Sequence, residues 1–181
     1  MSKETEKDHT PTDRDLVVGC LSGEETAWTQ LIERYQRLIY SVARAICSDP
    51  DDTNDVFQYT CLDLYRGLQE LRDVKALPAW LITVTRRRAF SVRKAKASQD
   101  SPEGSLQEVV SDDVIRSIEH EHAIERALEQ LPLRCRILID LLYFNANQPS
   151  YVEISQKIGI PVASIGPTRA RCLDKLRKFL S

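Results

Sequence analysis

The stretch Tyr151-Val152-Glu153-Ile154-Ser155-Gln156-Lys157-Ile158-Gly159-Ile160-Pro161-Val162-Ala163-Ser164-Ile165 reads as two helices folded about one glycine. Val152, Ile154 (or Ser155) and Ile158 recur at helical steps and form the inner face of the first helix. Gly159 supplies a left-handed turn residue and Ile160 plugs the corner. Pro161 opens the second helix, from which Ile165 packs back. This is a helix-turn-helix: a positioning helix, a tight turn and a recognition helix. The second helix continues from about Val162 to Leu180, and its outward face carries Thr168, Arg169, Arg171, Lys175, Arg177 and Lys178. Such a face suits phosphates and base edges. A solvated basic helix in a bundle would carry similar cations, but the spacing around Gly159 favours nucleic acid. Pro167, beyond the first turn and without a backbone donor, is expected to loosen or kink this helix.

Working outward, every segment with clear periodicity is helical. Upstream lie an apolar helix over residues 137–144, ended by Asn145-Ala146-Asn147-Gln148-Pro149, and a helix built on Val114, Ile118, Ala123, Ile124, Ala127, Leu128 and Leu131. Before these, Ser98-Gln99-Asp100-Ser101-Pro102-Glu103-Gly104-Ser105 has linker composition. The N-terminal part holds four helices. Thr12-Asp13-Arg14-Asp15 caps the first, and Ser22-Gly23 ends it. A long second helix buries Ala27, Trp28, Leu31, Ile32, Tyr35, Leu38, Ile39, Val42, Ala43 and Ile46. Asp49-Pro50 opens the third and Pro78 the fourth. The expected fold class is all-α: two small helical domains, an N-terminal helix bundle and a C-terminal helix-turn-helix domain, joined by a flexible acidic linker. The expected boundaries are a disordered N-terminus at 1–12, a first domain at 13–97, the linker at 98–112 and a second domain at 113–181.

Length and composition agree with this. A chain of 181 residues holds one domain or two small ones, and 6 Gly with 8 Pro are too few for a turn-rich all-β barrel. The net charge of −2 excludes a uniformly basic DNA coat, but it is a cancellation. Residues 86–96 carry +6, residues 157–178 carry +5, and residues 98–130 carry −7. No apolar run reaches the ~18 residues that span a bilayer, and the N-terminus has no signal-peptide core. Membrane insertion is therefore not expected, and the chain reads as cytoplasmic. Cys20, Cys47, Cys61, Cys135 and Cys172 are scattered and odd in number, which reads as reduced core thiols rather than a disulfide frame. His120 and His122, two residues apart, point to different sides of a helix and read as a solvated face, so no metal is expected.

Two further constellations stand in the N-terminal domain. Arg86, Arg87, Arg88, Arg93, Lys94 and Lys96 form a cationic cluster beside Trp80 and Phe90. Cations attract phosphate and aromatics stack on unpaired bases, although Trp80 taken alone reads as core. Asp49, Asp51, Asp52 and Asp55 open the third helix, followed by Gln58, Tyr59 and Asp63. Part of that acidity is capping against the helix dipole; the rest reads as a protein-docking face. No histidine or nucleophile accompanies the acids in a matching context, so neither catalysis nor a cofactor is expected.

Three motifs together give a resemblance. Asp52-Thr53-Asn54-Asp55-Val56-Phe57-Gln58-Tyr59-Thr60-Cys61-Leu62 resembles D-A-E-D-L-V-Q-E-x-F-L. Ala79-Trp80-Leu81-Ile82-Thr83-Val84-Thr85-Arg86 resembles A-W-L-x-x-I-A-R. Residues 151–177 are similar to Y-x-E-I-A-x-x-L-G-x-P-x-G-S-I…R-A-R-x-x-L-x-K-L-R. These are segments of the extracytoplasmic-function (ECF) group of sigma factors, small members of the bacterial sigma-70 superfamily, and the resemblance covers residues 13–97 and 112–180.

The resemblance implies that the chain binds core RNA polymerase and directs initiation at a restricted set of promoters, polymerase doing the chemistry. It implies that Asp52, Asp55, Gln58 and Tyr59 meet the clamp coiled coil of the large subunit. Trp80, Arg86, Arg87, Phe90, Arg93 and Lys94 would hold the minus-ten element as single strand. Ser164, Thr168, Arg169, Arg171 and Lys175 would read the minus-thirty-five duplex. The acidic linker would run through the polymerase cleft. An anti-sigma factor is a further expected partner, and without partners the chain is expected to be a monomer. Tyr59 stands where the family usually has Glu, Arg87 where Asn is frequent, and Gly166-Pro167 where many relatives have basic or hydroxyl residues. The alternatives are a stand-alone helix-turn-helix regulator acting as a dimer, and a helical adaptor without a nucleic-acid role.

Overall fold

Thr12 begins the first helix by a reciprocal cap: the Asp15 amide donates to its Oγ1 at 3.2 Å, and its own amide donates to Asp15 Oδ2 at 2.8 Å. In this computed structural model, which describes residues 11–100 and 111–180, eight α-helices follow in order. They are α1 (Asp13–Leu21), α2 (Glu25–Ile46), α3 (Pro50–Gly67), α4 (Leu77–Asp100), α5 (Asp112–Glu129), α6 (Leu133–Ile139), α7 (Tyr151–Ile158) and α8 (Val162–Leu180). The described residues contain no strand. The chain forms two compact units, Met1–Glu119 and His120–Ser181, so the division falls within α5. Most of the expected linker, 101–110, and all but two residues of the expected disordered N-terminus lie outside the described residues. The two that are described are held: Thr12 caps α1, and Arg34 donates to the Pro11 carbonyl at 2.7 Å.

In the first unit the apolar stripe of α2 is the spine. Leu31, Tyr35, Ile39, Val42 and Ala43 are fully buried, and Val56 and Leu64 of α3 and Leu77 and Leu81 of α4 close over them. Polar groups within this core are satisfied locally. Thr60 and Thr85 donate back to the carbonyls of Val56 and Leu81. Asp13 ties α1 to α2, accepting from Arg34 Nη1 at 2.7 Å and from the Tyr35 hydroxyl at 2.9 Å. Gly67 at the end of α3 has no room for a side chain, because a Cβ there would lie 2.9 Å from Cζ2 of Trp80.

The second unit is smaller. Leu131, Leu138, Ile139, Leu141, Ile154 and Ile165 surround the bonded pair Cys135–Cys172. α6 runs into a π turn at Asp140–Phe144, and Ser150 with Glu153 forms the reciprocal cap of α7.

Three expectations are corrected. Cys135 and Cys172 are joined as a disulfide; they are 37 residues apart in sequence, but α6 and α8 bring their Cα atoms to 5.4 Å. Cys20, Cys47 and Cys61 are thiols. His122 is buried at 7% exposure, because it falls seven residues after buried Ile115 on the same side of α5, whereas His120 is exposed. Val152 is exposed, and Ile154 with half-buried Ser155 and Ile158 forms the inner face of α7. Through Pro167, α8 is one unbroken helix. The residue before a proline resists helical geometry partly through its Cβ; Gly166 has none and open space around it.

Candidate nucleic-acid and docking interfaces

The acids of α3 face in two directions. Asp49 caps the helix by accepting from the Asp51 amide at 2.9 Å, and it also accepts from Lys96 Nζ at 2.6 Å. Lys96 reaches Asp52 as well, at 3.2 Å. The Lys96 ammonium holds the Asp49 carboxyl below its ordinary range, and in return Asp49 and then Asp52 push the Lys96 pKa up. Asp63 accepts from both Nε and Nη2 of Arg88, at 2.6 and 2.5 Å, and its side chain is only 13% exposed. That paired hydrogen bond is the main cause of a lowered Asp63 pKa. Asp52 and Asp63 are thus counter-charges for α4.

What α3 leaves outward is a different set. Asp55, Gln58 and Tyr59 are exposed, and the helical repeat continues them through Leu62 and Tyr65. Tyr59, Leu62 and Tyr65 are 46%, 50% and 67% exposed, an acid-edged apolar stripe opposite Val56, Thr60 and Leu64. Arg88 lies over the Tyr59 ring at 5.6 Å and Trp28 meets Tyr65 at 5.4 Å, so both aromatics are held in place. Leu62 and Tyr65 are not among the residues expected on this face from sequence. Extending the spacing from Asp55 would have found them.

The cluster on α4 is likewise divided. Arg88 and Lys96 are paired to α3, and Arg86 donates to Asp112 at 2.9 Å. Arg87 and Lys94 are exposed on one side of α4, and Phe90 beside them is half-buried against the core with Arg93 over its ring at 5.4 Å. Arg87 is exposed and only loosely associated with Asp63, at 3.6 Å. Trp80 is half-buried against the core and over Gly67, on the side of α4 that meets α3. Trp80, Arg87 and Lys94 follow one another at seven-residue steps on one side of α4, Trp80 half-buried and the two cations exposed.

In the second unit the turn is firmly built. Gly159 is left-handed at φ 64°, and its amide donates to the Ser155 carbonyl at 2.9 Å. The Ser155 hydroxyl donates to the Ile160 carbonyl at 2.5 Å, and Arg134 Nη2 donates to the carbonyls of Ile158 and Gly159 at 3.4 and 3.3 Å. Along α8, Ile165 and Cys172 face the core. Ser164, Thr168, Arg171 and Lys175 follow one another at four- and three-residue steps on one flank, continued by Lys178. Arg169 falls outside that flank and is half-buried beside the core face. Among the described residues no group of three or more His, Cys, Asp or Glu could hold a metal, and no helix is long and apolar enough to cross a membrane.

The family model Sigma-70 region 2 matches residues 31–98, from within α2 through nearly all of α4. The ECF RNA polymerase sigma factor SigM of Mycobacterium tuberculosis is 24% identical over 176 residues, which cover 95% of this chain and 86% of that protein. The ECF RNA polymerase sigma-E factor of Escherichia coli K12 is 29% identical over 169 residues, 85% of this chain and 86% of that protein. The solved structure of CnrH in complex with the cytosolic domain of CnrY aligns at 22% identity and a TM-score of 0.41, over 93% of this chain and 96% of that one. The chain thus contains a Sigma-70 region 2 segment and is similar over most of its length to ECF RNA polymerase sigma factors.

Proposed function

We propose that the three outward faces divide the work of promoter recognition. The stripe Asp55, Gln58, Tyr59, Leu62 and Tyr65 docks the clamp coiled coil of the large polymerase subunit, with Asp52 acting through Lys96. Arg87, Phe90, Arg93 and Lys94 hold the unpaired minus-ten strand, cations on phosphate and the ring against a base. Arg86 flanks that face, and Trp80 supports it from the core side. Ser164, Thr168, Arg171 and Lys175 enter the major groove at the minus-thirty-five element. The chain works in the cytoplasm as a monomer until it meets polymerase or an anti-sigma partner.

The observation that carries this reading is the sorting of charge in the first unit. α3 and α4 pair Asp52 and Asp63 with Lys96 and Arg88, while α3 exposes acid with apolar side chains and α4 exposes Arg87 and Lys94 beside half-buried Phe90. An acidic apolar face repels DNA and suits a protein; a cationic aromatic face does the reverse. The test is the affinity of the labelled full-length chain for core polymerase. Asp55→Arg combined with Leu62→Ser is expected to weaken it at least about tenfold, since two central interface groups are lost. Helicity by circular dichroism stays unchanged, because both side chains point to solvent. Unaltered affinity in the folded variant would remove the stripe from docking.

A further inference from the structure

Two consecutive residues of α6 hold the two halves of the helix-turn-helix. Arg134 holds the end of α7 through the carbonyls of Ile158 and Gly159. Cys135 is bonded to Cys172 on α8. The bond closes a segment of 37 residues that contains all of α7, the Gly159 turn and the first half of α8. The core it crosses has eight buried side chains, two of them the cysteines themselves. In a core that small, one cross-link decides how firmly a helix is held.

The chemistry around the pair suits exchange. Both partners are buried, Cys135 the less deeply at 9% exposure against 1% for Cys172. The three other cysteines all lie in the first unit. Burial pushes Cys20 and Cys61 up to about 11, which keeps those thiols protonated and poor competitors.

We propose that Cys135 and Cys172 form a reversible thiol–disulfide clasp on the recognition helix, so that oxidation strengthens and reduction weakens the grip of α8 on duplex DNA. The oxidant is a low-molecular-weight disulfide. The Cys135 thiolate, its proton released to solvent, attacks one sulfur of that disulfide and expels one thiolate. The Cys172 thiolate then attacks the Cys135 sulfur of the mixed disulfide and expels the second. Two protein thiols become one disulfide, and the small disulfide, gaining two electrons and two protons, becomes two thiols. The effect on DNA rests on the reading of α8 as the duplex-reading helix; the clasp itself does not.

The test uses the full-length chain equilibrated in oxidised or reduced glutathione. Peptide mapping under non-reducing conditions, hydrogen exchange along α8, and retention of a randomised duplex library by the reconstituted holoenzyme are each measured. In oxidised glutathione the map should give one linked peptide pair holding Cys135 and Cys172. The α8 amides should exchange about a hundredfold more slowly, as expected for a loop closed over this length. Retention should rise several-fold, and reduced glutathione should reverse all three. Cys135→Ala with Cys172→Ala should respond to neither buffer; the wild-type reversal needs no variant. Free thiols at both positions in oxidised glutathione, or a bond that reduced glutathione leaves intact, would overturn the clasp. A reversible bond with unchanged α8 exchange or unchanged retention would overturn its action on DNA. Arg171→Ala separates the two readings: if it leaves retention unaltered in both buffers, the assignment of α8 to duplex DNA fails while the clasp stands on mapping and exchange.

Discussion

Asp63 shows how one residue can be misread from its neighbours in sequence. Along the chain it ends a run of acids; in space it is the buried anchor of Arg88, which in turn lies over Tyr59. Replacing it by Asn removes the charge and one of two paired acceptors, and is expected to cost about 2 kcal/mol of stability in the first unit. Chemical denaturation at neutral pH measures this. The pH dependence has a definite sign. Arg88 lowers the Asp63 pKa below its ordinary 3.8, so the stabilisation is complete above that value and is lost as pH falls through the lower, folded-state value. The gap between wild type and Asp63→Asn should therefore close in acid; a gap that persists at pH 2 would mean that the ion pair is not its source. None of this was legible in sequence, because the partners stand 25 residues apart on different helices. The Cys135–Cys172 bond was hidden for the same reason, since spacing along the chain carries no information on which helices pack.

At the scale of elements the sequence was far more informative. Helix starts were legible because they are local chemistry: Thr12 with Asp15, Asp49 with Pro50, and Ser150 with Glu153 each satisfy amides within one turn. The turn at Gly159 was legible because few residues other than glycine accept a left-handed backbone there. Helical phase sets Arg169 apart from the flank of Ser164, Thr168, Arg171 and Lys175, and only the burial of Ile165 and Cys172 fixes that phase. The two arginines of α8 accordingly separate. Arg171→Ala is expected to weaken duplex binding by about tenfold or more, the effect of losing one base or phosphate contact. Arg169→Ala should leave binding near wild type. Filter binding of the holoenzyme to a minus-thirty-five duplex reads both; equal losses would mean that the flank from Ser164 to Lys175 is not the reading face. Gly166-Pro167 shows the opposite lesson. A proline expected to loosen or kink the helix lies inside it, preceded by a glycine that has no Cβ to meet the proline ring.

Across the whole molecule, the near-zero net charge is sorted twice, first along the chain into opposed blocks and then within the first unit into internal pairs and outward faces. Of the six cations on α4, Arg86, Arg87, Arg88 and Lys96 each lie within ion-pair distance of an aspartate of the same unit. The surface offered to a nucleic acid is consequently smaller and more specific than a count of arginines suggests. On the proposed function, a chain built this way gains little from duplex DNA alone and acts through polymerase. The most direct measurement is run-off transcription by core polymerase on a promoter mapped from the chain's own overexpression. The account predicts a promoter-dependent transcript only when the chain is added, and its loss with Arg87→Ala combined with Phe90→Ala while core binding is retained. No transcript with core, together with protection of a palindromic duplex by the chain alone, would contradict it.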